Sequence, residues 1–141
     1  MIPKIIHYCW FGRGKMPELA EKCIASWKKY LPEYEFKLWN EDTFDINSVP
    51  YVKEAYESRK FAFVTDYIRL WALYNYGGVY MDTDVEILKP LDEFLKLPAF
   101  TGYEASSGMS PVTGLMASAP KGIWVTEQLA YYDDKHFITK R

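Results

Sequence analysis

The stretch from Phe61 to Asp84, FAFVTDYIRLWALYNYGGVYMDTD, decides how the rest of the chain is read. Phe61, Val64, Ile68 and Trp71 recur at helical intervals and form one apolar stripe, broadened by Leu70 and Tyr74. Gly77 follows at the point where a helix commonly ends on a left-handed glycine. Val79, Tyr80, Met81 and Asp82 then read as a strand, so a helix over 61–76 hands over directly to a strand.

Outward from this stretch, the same strand–helix alternation continues. Ile2 to Phe11 is a short β-branched and aromatic run closed by Gly12 and Gly14, which predicts a buried strand and a loop. Pro17 opens a helix whose Leu19, Ala20, Cys23, Ile24 and Trp27 share a face up to Tyr30, before Pro32 stops it. Tyr34 to Trp39 alternates as a second strand and ends in the polar turn Asn40, Glu41, Asp42. Strand, helix, strand with short joints predicts an α/β unit with parallel strands. The pattern further predicts helices at 51–58, 91–96 and 122–132, and strands at 99–103 and 112–117. Internal repeats and linkers are absent, so the 141 residues read as one domain.

Composition narrows the function classes. Apolar residues at 49% and charged residues at 26% describe a globular chain rather than a disordered one. Seventeen basic and nineteen acidic side chains leave a charge of −2, which offers no electrostatic basis for nucleic-acid binding. Twelve Tyr, eight Phe and five Trp can build either a dense core or platforms for a base or a sugar. Cys9 and Cys23, with His7 and His136, match neither a disulfide scaffold nor a zinc spacing. A signal-peptide pattern and a run of ~20 apolar residues are both missing, so the expected location is cytoplasmic, compatible with peripheral association at the inner membrane face.

The chemistry concentrates in Asp66, Arg69, Asp82 and Asp84. On an extended segment, Asp82 and Asp84 would project to one side with α-carbons roughly 6.6 Å apart. Two carboxylates so placed repel each other, and a hard divalent cation relieves that repulsion while leaving coordination positions for a diphosphate. Asp66 and Arg69, three residues apart, share a helix face and can hold sugar hydroxyls. The plainer readings are a solvated turn for the first pair and an ordinary helix ion pair for the second. An EF-hand is excluded, because Ile87 stands where its glycine is needed and Pro90 interrupts the loop.

Taken together and in order, these residues resemble the DXD-containing glycosyltransferase family of bacterial capsular-polysaccharide transferases and fungal initiating mannosyltransferases. The chain is more distantly similar to the glucosylating domains of large clostridial toxins. The resemblance begins at Ile2 to Gly12, continues through Leu38, Trp39 and Asn40, and peaks between Asp66 and Asp84. It implies a GT-A type fold, a nucleotide-sugar-binding α/β sandwich with a central, mainly parallel sheet flanked by helices. It implies Asp84 as direct ligand of Mn²⁺ or Mg²⁺, and Asp82 reaching the metal through water together with the donor's ribose. Asp66 and Arg69 would hold the transferred sugar, Trp10 would stack on the nucleobase, and Tyr80 would lie close to the donor. A core role is the alternative for Trp10, sheet packing is the alternative for Tyr80, and His7 is expected to serve structure.

The resemblance further implies transfer from a nucleotide-diphosphate sugar to a saccharide acceptor with retention of configuration, in bacterial capsular or surface polysaccharide synthesis. No carboxylate nucleophile of the kind retaining glycosidases use is evident, which favours front-face substitution within an ion pair. Met109 to Thr113 and Ala119 to Gly122 depart from the family pattern, and family members are generally longer. The expectation is therefore a donor-binding domain over 1–141, either whole or part of a longer catalytic domain. A non-catalytic, metal-assisted nucleotide-sugar or carbohydrate binding module is the alternative, and a purely structural domain is a third.

Overall fold

The computed structural model describes residues 1–103 and 111–137. Five strands form one sheet: β1 (Ile5–Cys9), β2 (Glu35–Trp39), β3 (Gly78–Met81), β4 (Ala99–Tyr103) and β5 (Pro111–Ser118), in the order β2-β1-β3-β5-β4. β1 pairs parallel with β2, as the strand–helix–strand unit predicts, and also with β3, with Tyr8 opposite Leu38 and His7 opposite Tyr80. β5 pairs antiparallel with β3, and β4 antiparallel with β5, so the sheet is mixed. Helices α1 (Glu18–Tyr30), α2 (Pro50–Glu57), α3 (Phe61–Tyr76) and α4 (Ile123–Ala130) fall where the periodicity places them. The segment expected as a helix at 91–96 is a 3-10 turn over Asp92–Lys96, because Pro90 and Pro98 leave too few residues for α-helical propagation.

Alternation along the strands sorts the core into two layers. Ile6, Val79, Met81 and Ala117 point to the face covered by Trp27 of α1, by Leu31 just after that helix and by Ile87, Leu91 and Leu95. Cys9, Tyr80 and Met116 point to the opposite face, covered by Val52 and Ala55 of α2, by Val64, Ile68 and Leu73 of α3, and by Val125 of α4. The three-layer sandwich that results buries apolar residues on both faces of the sheet. Among the described residues, no helix is long and apolar enough to cross a membrane.

The two glycines between α3 and β3 each answer a steric demand. Gly77 has φ 68° and ψ 179°, a combination open essentially to glycine and different from the left-handed cap expected. A Cβ there would stand 2.6 Å from Pro120 Cδ. Gly78 has φ 114°, and a Cβ on it would stand 2.5 Å from the Ile5 carbonyl oxygen. The chain therefore leaves α3 and enters the sheet against β1 without a connecting loop.

Buried His7 fixes this junction from the other side. Its Nδ1 accepts from the Trp39 indole N–H at 3.0 Å, so its Nε2 carries the proton and donates to the Gly77 carbonyl at 2.8 Å. Desolvation lowers its pKa to about 4, outweighing the opposing Gly77 bond, so the ring is neutral and structural as expected.

Candidate active site

β1 sends the chain to β2 on one side and lies beside β3 on the other, which makes the gap between β1 and β3 a topological switch point. Ligands of open α/β sheets bind outside the carboxyl ends of the strands at such a point. A cavity of about 460 Å³ opens there. Cys9, Trp10 and Phe11 form its β1 side, Phe61, Ala62 and Thr65 its α3 side, and Tyr80, Asp82, Thr83 and Asp84 its β3 side.

The two aspartates occupy a turn rather than the extended segment assumed from the sequence. The Asp82 N–H still donates to the Gly114 carbonyl at 2.8 Å, and the Val85 N–H then donates back to the Asp82 carbonyl at 3.0 Å. That turn ends strand pairing at Asp82 and leaves Asp84 exposed at the cavity. Asp82 is half-buried, and its Oδ1 accepts the Tyr80 hydroxyl at 2.7 Å and lies 3.8 Å from Arg69 Nη2. Its Oδ2 lies beside Gly114, where a Cβ would stand 3.4 Å from it.

Tyr80 is 2% exposed, and burial holds its phenol well above the usual range, so it is a hydrogen-bond donor at all ordinary pH. The Arg69 guanidinium sits 4.8 Å from the Tyr80 ring centroid and donates to Asp66 Oδ1 at 3.1 Å. The helix ion pair is thus real, but it belongs to a chain Asp66–Arg69–Asp82–Tyr80 that connects α3 to the end of β3. Arg69 is buried, whereas the Asp66 side chain is 44% exposed. Burial raises the Asp66 pKa, Arg69 opposes this, and the Asp82 charge adds to it. Neither residue lines the cavity; Arg69 meets it through Asp82 and Tyr80.

Trp10 is half-buried on the cavity wall and not in the core. Its indole N–H donates to the Gly14 carbonyl at 2.8 Å, which holds the ring against its own loop. That loop is tied to the turn after β2. The Gly12 N–H donates to Glu41 Oε2 at 2.6 Å, and Arg13 pairs with both oxygens of Asp42 at 3.0 and 3.1 Å. The cavity wall thus includes Phe11, Phe61, Ala62 and Thr83, which composition did not single out and which only the fold brings together. Cys9 also lines it, but full burial pushes its thiol pKa up, so it supplies neither a thiolate nucleophile nor a thiolate ligand.

The donor chemistry of the site is that of hard oxygen. Asp82 and Asp84 are its carboxylates, and no cluster of three or more His, Cys, Asp or Glu suited to a metal occurs among the described residues. Two carboxylates without a full protein cage fit an ion such as Mg²⁺ or Mn²⁺ that takes its remaining ligands from phosphate oxygens and water. Of the sequence departure at Met109 to Thr113, Met109 and Ser110 lie outside the described residues, and 111–113 open β5. Ala119 to Gly122 is described: Pro120 packs on Gly77, and the Lys121 N–H donates to the Tyr74 carbonyl at 2.9 Å.

Comparisons with known proteins bear on the fold and the family. An inositol phosphoceramide mannosyltransferase of Schizosaccharomyces pombe is 34% identical over 77% of this chain and 32% of its own length. A mannosyl phosphorylinositol ceramide synthase of Saccharomyces cerevisiae is 30% identical over 98% of this chain and 38% of its own length. The chain thus spans about a third of the length of these curated relatives. Among solved structures, the PaToxG glycosyltransferase superposes with a TM-score of 0.71 at 17% identity, over 91% of this chain and 59% of that one, which shows a shared GT-A-like fold. Residues 17–101, which contain Asp66, Arg69, Asp82 and Asp84, match the family described as the glycosyltransferase sugar-binding region containing the DXD motif, and the chain belongs to that family.

Proposed function

We propose that this chain is the donor-binding part of a metal-dependent glycosyltransferase that moves a hexose from a nucleotide-diphosphate sugar to a saccharide-bearing acceptor. The observation that carries the reading is the placing of Asp82 and Asp84 in a turn at the switch point, beside Trp10 and the Asp66–Arg69 pair. Asp84, exposed, and Asp82, through Oδ2, would hold a divalent cation. When bound, that ion supplies positive charge for the departing diphosphate.

The chain's own residues do the rest. Trp10 offers an aromatic face to the nucleobase. Tyr80 and Arg69 hold Asp82 Oδ1 in place. Asp66, half-exposed at the first turns of α3, accepts hydrogen bonds from hydroxyls of the transferred sugar. Phe11 and Phe61 exclude water from the inner wall, which lowers competition from hydrolysis. Retention of configuration belongs to this proposal and rests on the family resemblance; a cytoplasmic location belongs to it as well, from the sequence pattern alone.

The relatives' names make mannose the first donor sugar to test and an inositol phosphoceramide the first acceptor. The sequence resemblance adds a bacterial capsular or surface polysaccharide. The test is to incubate the protein with UDP- and GDP-hexoses, Mn²⁺ and both acceptors, and to assay released nucleoside diphosphate and glycosylated product. Product formation with retained anomeric configuration is expected. Tight donor binding without turnover would assign the chain to the binding-module alternative.

A further inference from the structure

A second cavity, of about 340 Å³, lies between α3 and α4 and is lined by Leu70, Glu127, Gln128, Tyr131 and Tyr132. We propose that this cavity binds the acceptor saccharide, an assignment that rests on reading the first cavity as the donor site.

Its position on α3 is the first argument. Ala62 and Thr65 line the donor cavity and Leu70 lines the second, so Asp66 and Arg69 stand between them along one helix. From Thr65 to Leu70 the helix advances about 7.5 Å and turns about 140°, so the two cavities open on neighbouring sides of α3. Asp66 and Leu70 are four residues apart and share a face, which puts the Asp66 carboxylate one turn from the second cavity.

The second argument is the way Tyr132 joins the two regions. Its ring meets Tyr67 edge-on at 5.5 Å and Tyr51 edge-on at 4.9 Å. Burial pushes its phenol up to about 12, and Tyr67, against which it packs, is the residue that follows Asp66 on α3. One tyrosine therefore belongs to the wall of the second cavity and to the surroundings of the sugar-holding aspartate.

The lining chemistry is the third. A hexose presents an apolar C–H face and an edge of hydroxyls, and it is held by an aromatic ring with a few well-placed polar groups. Tyr131 is 64% exposed, its ring meets Tyr132 edge-on at 5.3 Å, and the Lys135 ammonium stands 4.0 Å from its ring centroid and steadies it. Glu127 and Gln128, both exposed, add a carboxylate and an amide for hydroxyls. A partner protein would need a larger apolar surface than these five residues offer.

The test is amide NMR of the ¹⁵N-labelled chain, titrated with α-1,2-mannobiose and with maltose as probes, without nucleotide. Shifts should cluster at Leu70 and Glu127 to Tyr132, and the Kd of the better disaccharide should rise at least fivefold in Tyr131→Ala and in Gln128→Ala. Well-dispersed spectra establish that the variants are folded, and Tyr131→Phe should retain wild-type affinity. Absence of shifts at these residues with both disaccharides, or equal Kd in wild type and both alanine variants, overturns the proposal. UDP or GDP with Mn²⁺, added to a separate sample, should move Trp10 and Thr83 instead. Failure there removes the donor reading, whereas failure with the disaccharides alone removes only the acceptor cavity.

Discussion

The Tyr80 hydroxyl donates to Asp82 Oδ1 across 2.7 Å, so one oxygen of the first aspartate in the motif is committed before any ligand arrives. The commitment is local, because the two residues are two apart in the chain, and it turns Asp82 so that Oδ2 lies beside Gly114. Hydrogen bonds to charged groups contribute ~1.5–3 kcal/mol when buried, and the half-exposed Asp82 places this one at the lower end. Tyr80→Phe should cost about 1–2 kcal/mol in urea unfolding and should raise the Mn²⁺ concentration needed for half-maximal transfer several-fold. Unchanged stability together with an unchanged Mn²⁺ requirement would show that the bond positions nothing.

The double glycine makes a purely steric prediction. An alanine at Gly78 would combine a φ of 114° with a Cβ 2.5 Å from backbone oxygen, which cannot move as a side chain can. Gly78→Ala should destabilise by about 3 kcal/mol or more. Thermal unfolding of the variant measures it, and a melting temperature near wild type would mean that β3 meets β1 differently.

His7 sets a pH dependence. The folded ring titrates at about 4 against 6.5 for an unperturbed histidine, so below pH 6.5 the unfolded chain takes up a proton that the folded chain refuses. The stability difference is absent above the unfolded value and grows as pH falls from 6.5 towards 4. At ~1.36 kcal/mol per unit the full effect is about 3 kcal/mol. Urea midpoints at pH 7 and pH 4.5 should fall more steeply for wild type than for His7→Gln, since the carboxylates titrate in both. Parallel declines would contradict a neutral His7.

Much of this architecture is legible in the sequence, because helical and strand periods are written locally. The stripe of Phe61, Val64, Ile68 and Trp71, the alternation of Tyr34 to Trp39 and the two glycines specify their elements without help from distant residues. The remainder depends on contacts that spacing does not encode. Trp39 meets His7 only because β2 lies beside β1, and β5 runs antiparallel to β3 because of a connection no short pattern announces. Asp82 and Asp84 are recognisable by their order in the chain, yet their turn follows from Val85 closing back on Asp82, not from strand geometry. Nor could spacing show that Arg69 would be buried over the Tyr80 ring and Asp66 left to face solvent.

The proposed base and sugar positions separate by substitution. Stacking on an aromatic face contributes ~1–3 kcal/mol per base, so Trp10→Ala should weaken free nucleoside diphosphate and nucleotide sugar alike, by about ten- to a hundredfold. Asp66→Asn should weaken the sugar-bearing donor while leaving nucleoside diphosphate almost untouched. Titration of each variant with both ligands decides the matter, and equal losses for both ligands in both variants would reverse the assignment. Trp10 is half-exposed, so its truncation should leave the fold intact by circular dichroism.

The central claim is that Asp82 and Asp84 hold a divalent cation which in turn holds the diphosphate of the donor. Isothermal titration of the chain with UDP, GDP and their hexose conjugates, with Mn²⁺ and again with a chelator, tests it most directly when repeated on Asp84→Ala. Asp84 is exposed and its removal should shift stability by no more than ~0.5 kcal/mol, so the variant isolates ligand binding from folding. The account predicts binding that requires Mn²⁺ and falls at least a hundredfold in Asp84→Ala. Equal affinity in chelator, or normal Mn²⁺-dependent binding by the variant, would contradict it.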